Sequence, residues 1–244
     1  MKNGVTKMDG IQKLRDMVDV SRRIVFFGGA GVSTESGIPD FRSVDGLYHQ
    51  TYRYPPETIL SHDFFMARTE EFYEFYRAKM LALDAQPNAA HKKLAEWERA
   101  GKLTAVVTQN IDGLHQKAGS KNVLELHGSV YRNYCMDCGK SYDVEAIAES
   151  RGVPRCACGG IIKPDVVLYG ESLDNKTVEQ AVLDISQADM LIIGGTSLAV
   201  YPAAGLIDYY KGNRLVLINQ SPTQYDRNAD LLLQEKIGSV FSEV

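Results

Sequence analysis

Five short apolar runs constrain this chain more than any other feature: RIVFFGG at 23–29, LTAVVTQN at 103–110, NVLELHG at 122–128, DMLIIGG at 189–195 and RLVLINQ at 214–220. Runs of this length without polar alternation are the pattern of strands covered on both faces. Helix-like stretches lie between several of them, at 88–101, 175–188 and 202–212, and the first and third close on Gly101 and Gly212, where a C′ glycine belongs. This alternation predicts an α/β fold with a doubly wound, Rossmann-like parallel sheet. With 244 residues, 44% of them hydrophobic and 24% charged, the chain can bury a core of that size.

Two stretches break the rhythm. Residues 45–86 are rich in aromatics and read as a helical excursion; residues 131–163 hold every cysteine and read as a small inserted zinc-binding module. The Rossmann-like domain is then expected from 1–44, 87–130 and 164–244. A net charge of −4 argues against a protein that coats nucleic acid or an anionic membrane. The first ten residues carry two lysines with no apolar stretch behind them, and no apolar run is long enough to span a bilayer, so a cytoplasmic protein is expected. In a reducing compartment four cysteines make a metal site or buried thiols rather than disulfides.

Open α/β sheets bind ligands beyond the carboxyl ends of their strands, so the residues just past each strand matter most. GGAGVSTESGIPDFRS at 28–43 comes after the first. Glycines there let the backbone approach a pyrophosphate, although Thr34 stands where the third glycine of the dinucleotide fingerprint belongs. Alone, this segment reads equally well as a glycine-rich turn. The second strand leads into Gln109-Asn110-Ile111-Asp112, and the third into Leu126-His127-Gly128. Three polar clusters on one rim are harder to explain as turns and caps, and His127 beside a carboxylate and a carboxamide suits proton transfer near neutral pH. His115, on the next helix, reads as structural or supporting. Cys135 and Cys138 are separated by seventeen residues from Cys156 and Cys158, close to a four-thiolate structural zinc pattern, with the second pair one residue short.

GAGVSTESGIPDFRS, TQNIDGLHQKAGS, ELHGSV, the cysteine pairs, KPDVVLYGE, GTSLAVYPAAGL and LIN occur in the order and spacing of the sirtuins, NAD-dependent protein lysine deacylases, and the chain resembles their compact bacterial members over nearly its whole length. The resemblance implies NAD as co-substrate and one structural Zn2+ per chain. Ala30, Gly31 and Thr34 would line the dinucleotide, and Phe41 and Arg42 would close over its ribose and phosphates. Gln109, Asn110, Ile111 and Asp112 match the nicotinamide and ribose contacts, and Thr196, Ser197, Asn219 and Ile237 those of the adenosine half. His127 would be the general base, with Asn110 also in a catalytic role. The acyl oxygen of the modified lysine would attack the ribose as nicotinamide leaves, and His127 would activate a ribose hydroxyl against the resulting imidate.

The acyl-lysine protein or peptide would add as a strand between Gly170-Glu171 and Leu198-Ala199-Val200, with Val167 at the acyl-lysine stem. Sirtuins that prefer succinyl- or malonyl-lysine carry a tyrosine and, three residues on, an arginine. Tyr73 and Tyr76 occupy those positions, which implies a preference for acetyl and other uncharged acyl groups. The partner expected is an acyl-lysine protein, with no nucleic acid or membrane, and the enzyme is expected to be a monomer. The competing readings are an ADP-ribosyltransferase or NAD hydrolase, a deacylase of broader chain length, and a non-catalytic NAD sensor. Intact His127 and VVLYGE favour the deacylase. A dehydrogenase would need an acidic ribose ligand about 20 residues past the glycines, where this chain has Gln50-Thr51-Tyr52.

Overall fold

The computed structural model describes residues 7–41, 46–47 and 52–244. Six strands form the main sheet: β1 (Ile24–Gly28), β2 (Leu103–Thr108), β3 (Val123–Glu125), β7 (Met190–Gly194), β8 (Leu215–Ile218) and β9 (Leu231–Leu233). All pairings are parallel and the order is β3-β2-β1-β7-β8-β9. Counted within this sheet alone, that is the 3-2-1-4-5-6 order of a doubly wound dinucleotide fold, with its crevice where β1 meets β7. Alternate residues of β1 explain the unbroken apolar run. Ile24 and Phe26 enter one core with helices Lys7–Val20, Ala89–Arg99 and Ile237–Phe241, whereas Val25 and Phe27 enter a second with helix Asn175–Gln187.

Three features depart from the sequence expectations. Helix Lys7–Val20 buries Ile11, Leu14 and Val18, and β9 closes one edge of the sheet; neither was expected. Residues 203–209 form a 3₁₀ helix that ends before Gly212. The C-cap Tyr210 is extended and turns its hydroxyl to the Asp189 carbonyl at 3.2 Å, so Gly212 is needed to make room for the Tyr210 ring rather than as a C′ residue. Gly101, by contrast, has φ of 72° directly after the C-cap Ala100.

The two interrupting stretches share one core. Strands β4 (Gly128–Cys135), β5 (Ser141–Tyr142) and β6 (Ile162–Val166) form a second, antiparallel sheet in the order β5-β4-β6. Helices Pro56–Ile59, His62–Ala67 and Thr69–Lys79 press Phe64, Phe65, Phe72 and Tyr76 against Val130, Ile162 and Val166 of that sheet. No helix among the described residues is long and apolar enough to cross a membrane.

His91 and His115 meet behind β1, their rings 4.8 Å apart. Both are buried, and neither His91 Nε2 nor either ring nitrogen of His115 has a hydrogen-bond partner among the described residues. Burial holds the His91 imidazole down to about 4, and burial together with His91 holds His115 well below its ordinary 6.5. Both are therefore neutral in the folded protein while the unfolded chain protonates them near pH 6.5, so stability present above pH 6.5 is lost as pH falls toward 4. A shift of this size is worth about 3 kcal/mol. Urea unfolding between pH 7 and 4 should show a steeper loss of stability in the unmodified protein than in His115→Phe, and equal slopes would clear the pair of this role.

Candidate active site

The glycine-rich segment after β1 folds as two short 3₁₀ turns, Ala30–Val32 and Thr34–Ser36, ended by Gly37 at φ of 84°. It docks onto the end of β7 backbone to backbone. The Gly31 N–H donates to the Gly195 carbonyl at 2.8 Å, and a Cβ on Gly31 would stand 2.8 Å from Gly195 Cα. The missing side chain thus serves the meeting of two loops at the strand-order reversal. Asn88 secures the other side. It caps helix Ala89–Arg99 and also donates Nδ2 to the Val32 carbonyl at 2.8 Å and Ser36 Oγ at 3.0 Å.

This docking brings Ser33 against the cluster after β2. Ser33 Oγ donates to Asp112 Oδ2 at 2.6 Å and accepts from Asn110 Nδ2 at 3.1 Å. Asp112 Oδ1 takes the Leu114 N–H at 2.9 Å and starts helix Leu114–Ala118. Burial raises the Asp112 carboxyl above its ordinary range against the opposing donations of Ser33 and Leu114. Ser33 is a site residue that the sequence motifs leave unmarked; a hydroxyl between two glycine-flanked turns is its only signal. A second chain of bonds crosses the rim. Gln109 Nε2 donates to Thr196 Oγ1 at 3.0 Å, and Thr196 and Asn219 exchange backbone and amide bonds at 2.9 and 3.0 Å.

His127 lies just past β3. Its Nδ1 is 2.9 Å from the Gln109 carbonyl, which fixes Nδ1 as the protonated nitrogen and leaves Nε2 as an acceptor. Burial lowers the imidazole below 6.5, with the Gln109 contact opposing.

A cleft of about 460 Å³ opens over these residues. Ala30, Gly31, Thr34 and Phe41 from the glycine-rich segment line it, together with Gln109, Asn110, Ile111, Asp112 and His127 from beyond β2 and β3, and Thr196, Ser197, Asn219 and Ile237 from beyond β7, β8 and β9. Arg42 lies outside the described residues. Val167, Gly170, Glu171 and Val200 also line the cleft, whereas Leu198 and Ala199 do not. Leu198 has φ of 54° and its side chain is buried, so it turns away from the cleft that Ser197 and Val200 line on either side of it.

The 167–171 segment is held from behind. Val167 N–H donates to the His127 carbonyl at 3.0 Å, Tyr169 N–H to the Leu60 carbonyl at 3.0 Å, and His62 N–H to the Tyr169 carbonyl at 2.9 Å. Buried Lys163 pairs with Glu171 at 3.1 Å, and His62 Nδ1 contacts the other carboxylate oxygen at 3.0 Å. Burial alone would raise the Glu171 carboxyl; the Leu168 N–H, His62 and Lys163 outweigh it and hold it below its ordinary range.

Tyr73 and Tyr76 correct the acyl-site expectation. Both are fully buried and neither lines the cleft. Tyr73 donates to the Ile162 carbonyl, Tyr76 stacks on Phe72 with centroids 5.5 Å apart, and Arg77 turns to Ser150 and the Gly152 carbonyl. The apolar face of the helix is spent on the shared core.

The four cysteine Sγ atoms lie within 4.8 Å of one another, with Cys135–Cys158 at 3.4 Å and Cys138–Cys156 at 3.6 Å. A tetrahedral zinc with Zn–S near 2.3 Å needs sulfurs roughly 3.8 Å apart, so the site fits the ion. Tyr142 donates to Cys156 Sγ at 2.9 Å, orienting one ligand. Gly139 and Gly159 supply turns at φ of 71° and 95°, while Gly160 leaves room for Cys135 Sγ. No cysteine lines the cleft, which makes the metal structural. Cys135→Ala or Cys158→Ala should lose the metal together with folded protein, as metal analysis and thermal melting would read. Stoichiometric metal retained in both would mean other ligands.

The profile of the Sir2 family matches residues 29–202. An NAD-dependent protein deacetylase of Clostridium acetobutylicum is 61% identical over 97% of this chain and 98% of its own length, and one of Cutibacterium acnes is 50% identical over 96% of each. A Sir2 structure with deacetylated p53 peptide and 3'-O-acetyl ADP ribose superposes with a TM-score of 0.90 at 41% identity, covering 96% of both chains. A structure of Sir2 bound to acetylated peptide gives 0.86 at 40% identity, again with 96% of both chains covered.

Proposed function

The chain belongs to the Sir2 family, and from that premise we propose how its cleft performs the reaction of an NAD-dependent protein deacetylase. The enzyme is an NAD-dependent protein deacylase that acts on acyl-lysine in proteins or peptides. NAD, as co-substrate, supplies an electrophilic ribose carbon from which nicotinamide departs as the acyl oxygen attaches; water then releases the free lysine amine, and the acyl group ends on the ADP-ribose product.

His127 is the base. The observation that carries this assignment is the 2.9 Å contact of Nδ1 with the Gln109 carbonyl, which leaves Nε2 free to accept a proton at the cleft. A ribose hydroxyl is the proton donor it faces. Asn110, Asp112 and Ser33, already joined by hydrogen bonds, bind the nicotinamide end and exclude water there. Gly31, Thr196 and Asn219 hold the phosphate and adenosine portion. The 167–171 segment takes one edge of the peptide and the 197–200 segment the other, so main-chain bonds carry much of the recognition. The mild net charge supports protein rather than polyanion partners, and we place the enzyme in the cytoplasm as a monomer.

His127→Ala should reduce deacetylation by roughly 10²–10⁴-fold while NAD binding survives, since that is the range of a general base. Because burial holds this imidazole below 6.5, the neutral base persists to lower pH, and the acid limb of kcat/KM should fall below pH 6.5. Near-normal turnover in His127→Ala, measured with an acetyl-lysine peptide, would remove His127 from the reaction.

Acyl choice is set by the wall that Leu60, Ile111, Val166 and Leu168 present to the cleft. A carboxylate brought against it loses water without gaining a buried cation, a cost of several kcal/mol. Lys79, which also lines the cleft, is exposed and packs over the Tyr52 ring at 5.7 Å. Acetyl-lysine peptide should therefore exceed succinyl-lysine peptide in kcat/KM by more than about tenfold, a difference of about 1.4 kcal/mol. Comparable values in paired assays would point to Lys79 as the cation that meets the acyl carboxylate.

A further inference from the structure

Arg132 bridges the two strands that flank the turn carrying His127. We propose that it is a positioning residue for that histidine, an inference that rests on His127 being the base.

The turn is well held on its cleft side. Leu126 N–H donates to the Thr108 carbonyl at 2.9 Å, His127 Nδ1 meets Gln109, and the His127 carbonyl takes the Val167 N–H at 3.0 Å. Beyond the histidine the ladder fails. Gly128 pairs with Val166, and the next registered pair is Asn133 with Pro164, so β4 advances five residues while β6 advances two. Pro164 has no N–H to offer. Val130 N–H leaves the ladder for the Ile111 carbonyl at 3.0 Å. Gly128, at φ of 76°, has no room for a Cβ beside the Asp165 carbonyl, so the turn lies directly on β6, and no registered pair joins β4 to β6 between Gly128 and Asn133.

Arg132 crosses this break. Its Nε donates to Asp165 Oδ2 at 2.8 Å and its Nη1 to Glu125 Oε2 at 2.5 Å. Glu125 ends β3 two residues before His127, and Asp165 stands two residues before Val167, the residue that binds the His127 carbonyl. One planar guanidinium therefore ties the end of β3, which leads into the turn, to β6, which leads into the residue that holds the His127 carbonyl. The Glu125 side chain is only 8% exposed, so its carboxylate depends on this cation, whereas Arg132 itself is 54% exposed. An exposed charge contributes little to stability through Coulomb attraction. Two nitrogens of a rigid planar fork do fix geometry, whereas a lysine meets the same carboxylates with a rotatable ammonium on a flexible stem that sets no plane. Since a misplacement of about 1 Å can cost about 10²-fold in rate, the bridge matters for kcat more than for folding.

The test compares the full-length enzyme with Arg132→Met, Arg132→Lys and the charge-neutral pair Glu125→Gln with Asp165→Asn. Kinetics with NAD and an acetyl-lysine peptide are combined with nitrogen-15 NMR of the His127 ring. Arg132→Met and the neutral pair should lower kcat by roughly ten- to a hundredfold, leave KM for NAD within about twofold and zinc content unchanged, and convert a single Nδ1–H tautomer into a mixture. Arg132→Lys should fall between. Unchanged kcat with a single Nδ1–H tautomer in Arg132→Met would overturn the proposal, as would a parallel loss of kcat, NAD affinity and zinc in both altered proteins, which would mark a folding role. An active His127→Ala enzyme would instead defeat the reading beneath it, so the two failures are distinguishable.

Discussion

Gly31 gives its N–H to the Gly195 carbonyl across the point where the strand order reverses, and neither glycine leaves space for a side chain. A parallel sheet offers one such crevice, and a loop can enter it only if its backbone seats directly on the neighbouring strand end. With that contact made, Ser33 falls within reach of both Asn110 and Asp112, and Thr34 and Ala30 face the cleft. Any β-carbon at the junction would push the loop outward and separate Ser33 from its partners. The polar site after β2 would then hold a partly buried carboxylate without its hydroxyl donor, an arrangement that costs about 1–3 kcal/mol.

The second sheet matters to the cleft through the groups it holds still. Aromatic helices from residues 56–79 and the cysteine-bearing sheet bury one another, and neither offers an apolar face large enough to stand alone. The four-thiolate site pins the far end of β4, and the near end carries the turn with His127. Between them runs the 167–171 segment, tied to Leu60 and His62 on one side and to His127 on the other. Lys163 is a charge removed from water and is tolerable only because Glu171 and the carbonyls of Pro164 and Val166 surround it. Through that ion pair the 167–171 segment inherits the rigidity of β6.

The rim shows a consistent division of labour. Backbone groups set positions, as at Gly28, Gln109 and Val167, while side chains with two functions join neighbouring strands, as Thr196 and Asn219 do across β7 and β8. Asn88 does the same between a helix start and the glycine-rich loop. Because each such group is both donor and acceptor, it joins neighbouring strand ends directly, and the Gln109 carbonyl sets the orientation of His127.

The five apolar strands, the polar clusters just past them and the cysteine pairs were legible in the sequence because each is written in contiguous residues: burial on both faces demands an unbroken apolar run, and metal knuckles demand close thiols. β9, three residues long and on the sheet edge, was not legible, although β3, equally short and on the opposite edge, was. Tertiary structure alone decided what lies between distant segments. Gly31 with Gly195, Ser33 with Asp112, and Arg132 with Glu125 and Asp165 are pairings that no local pattern encodes. It also decided which face of helix Thr69–Lys79 turns inward, burying Tyr73 and Tyr76 that the sequence placed beside the acyl group. Helical periodicity fixes which residues share a face; only packing against a second apolar surface fixes where that face points.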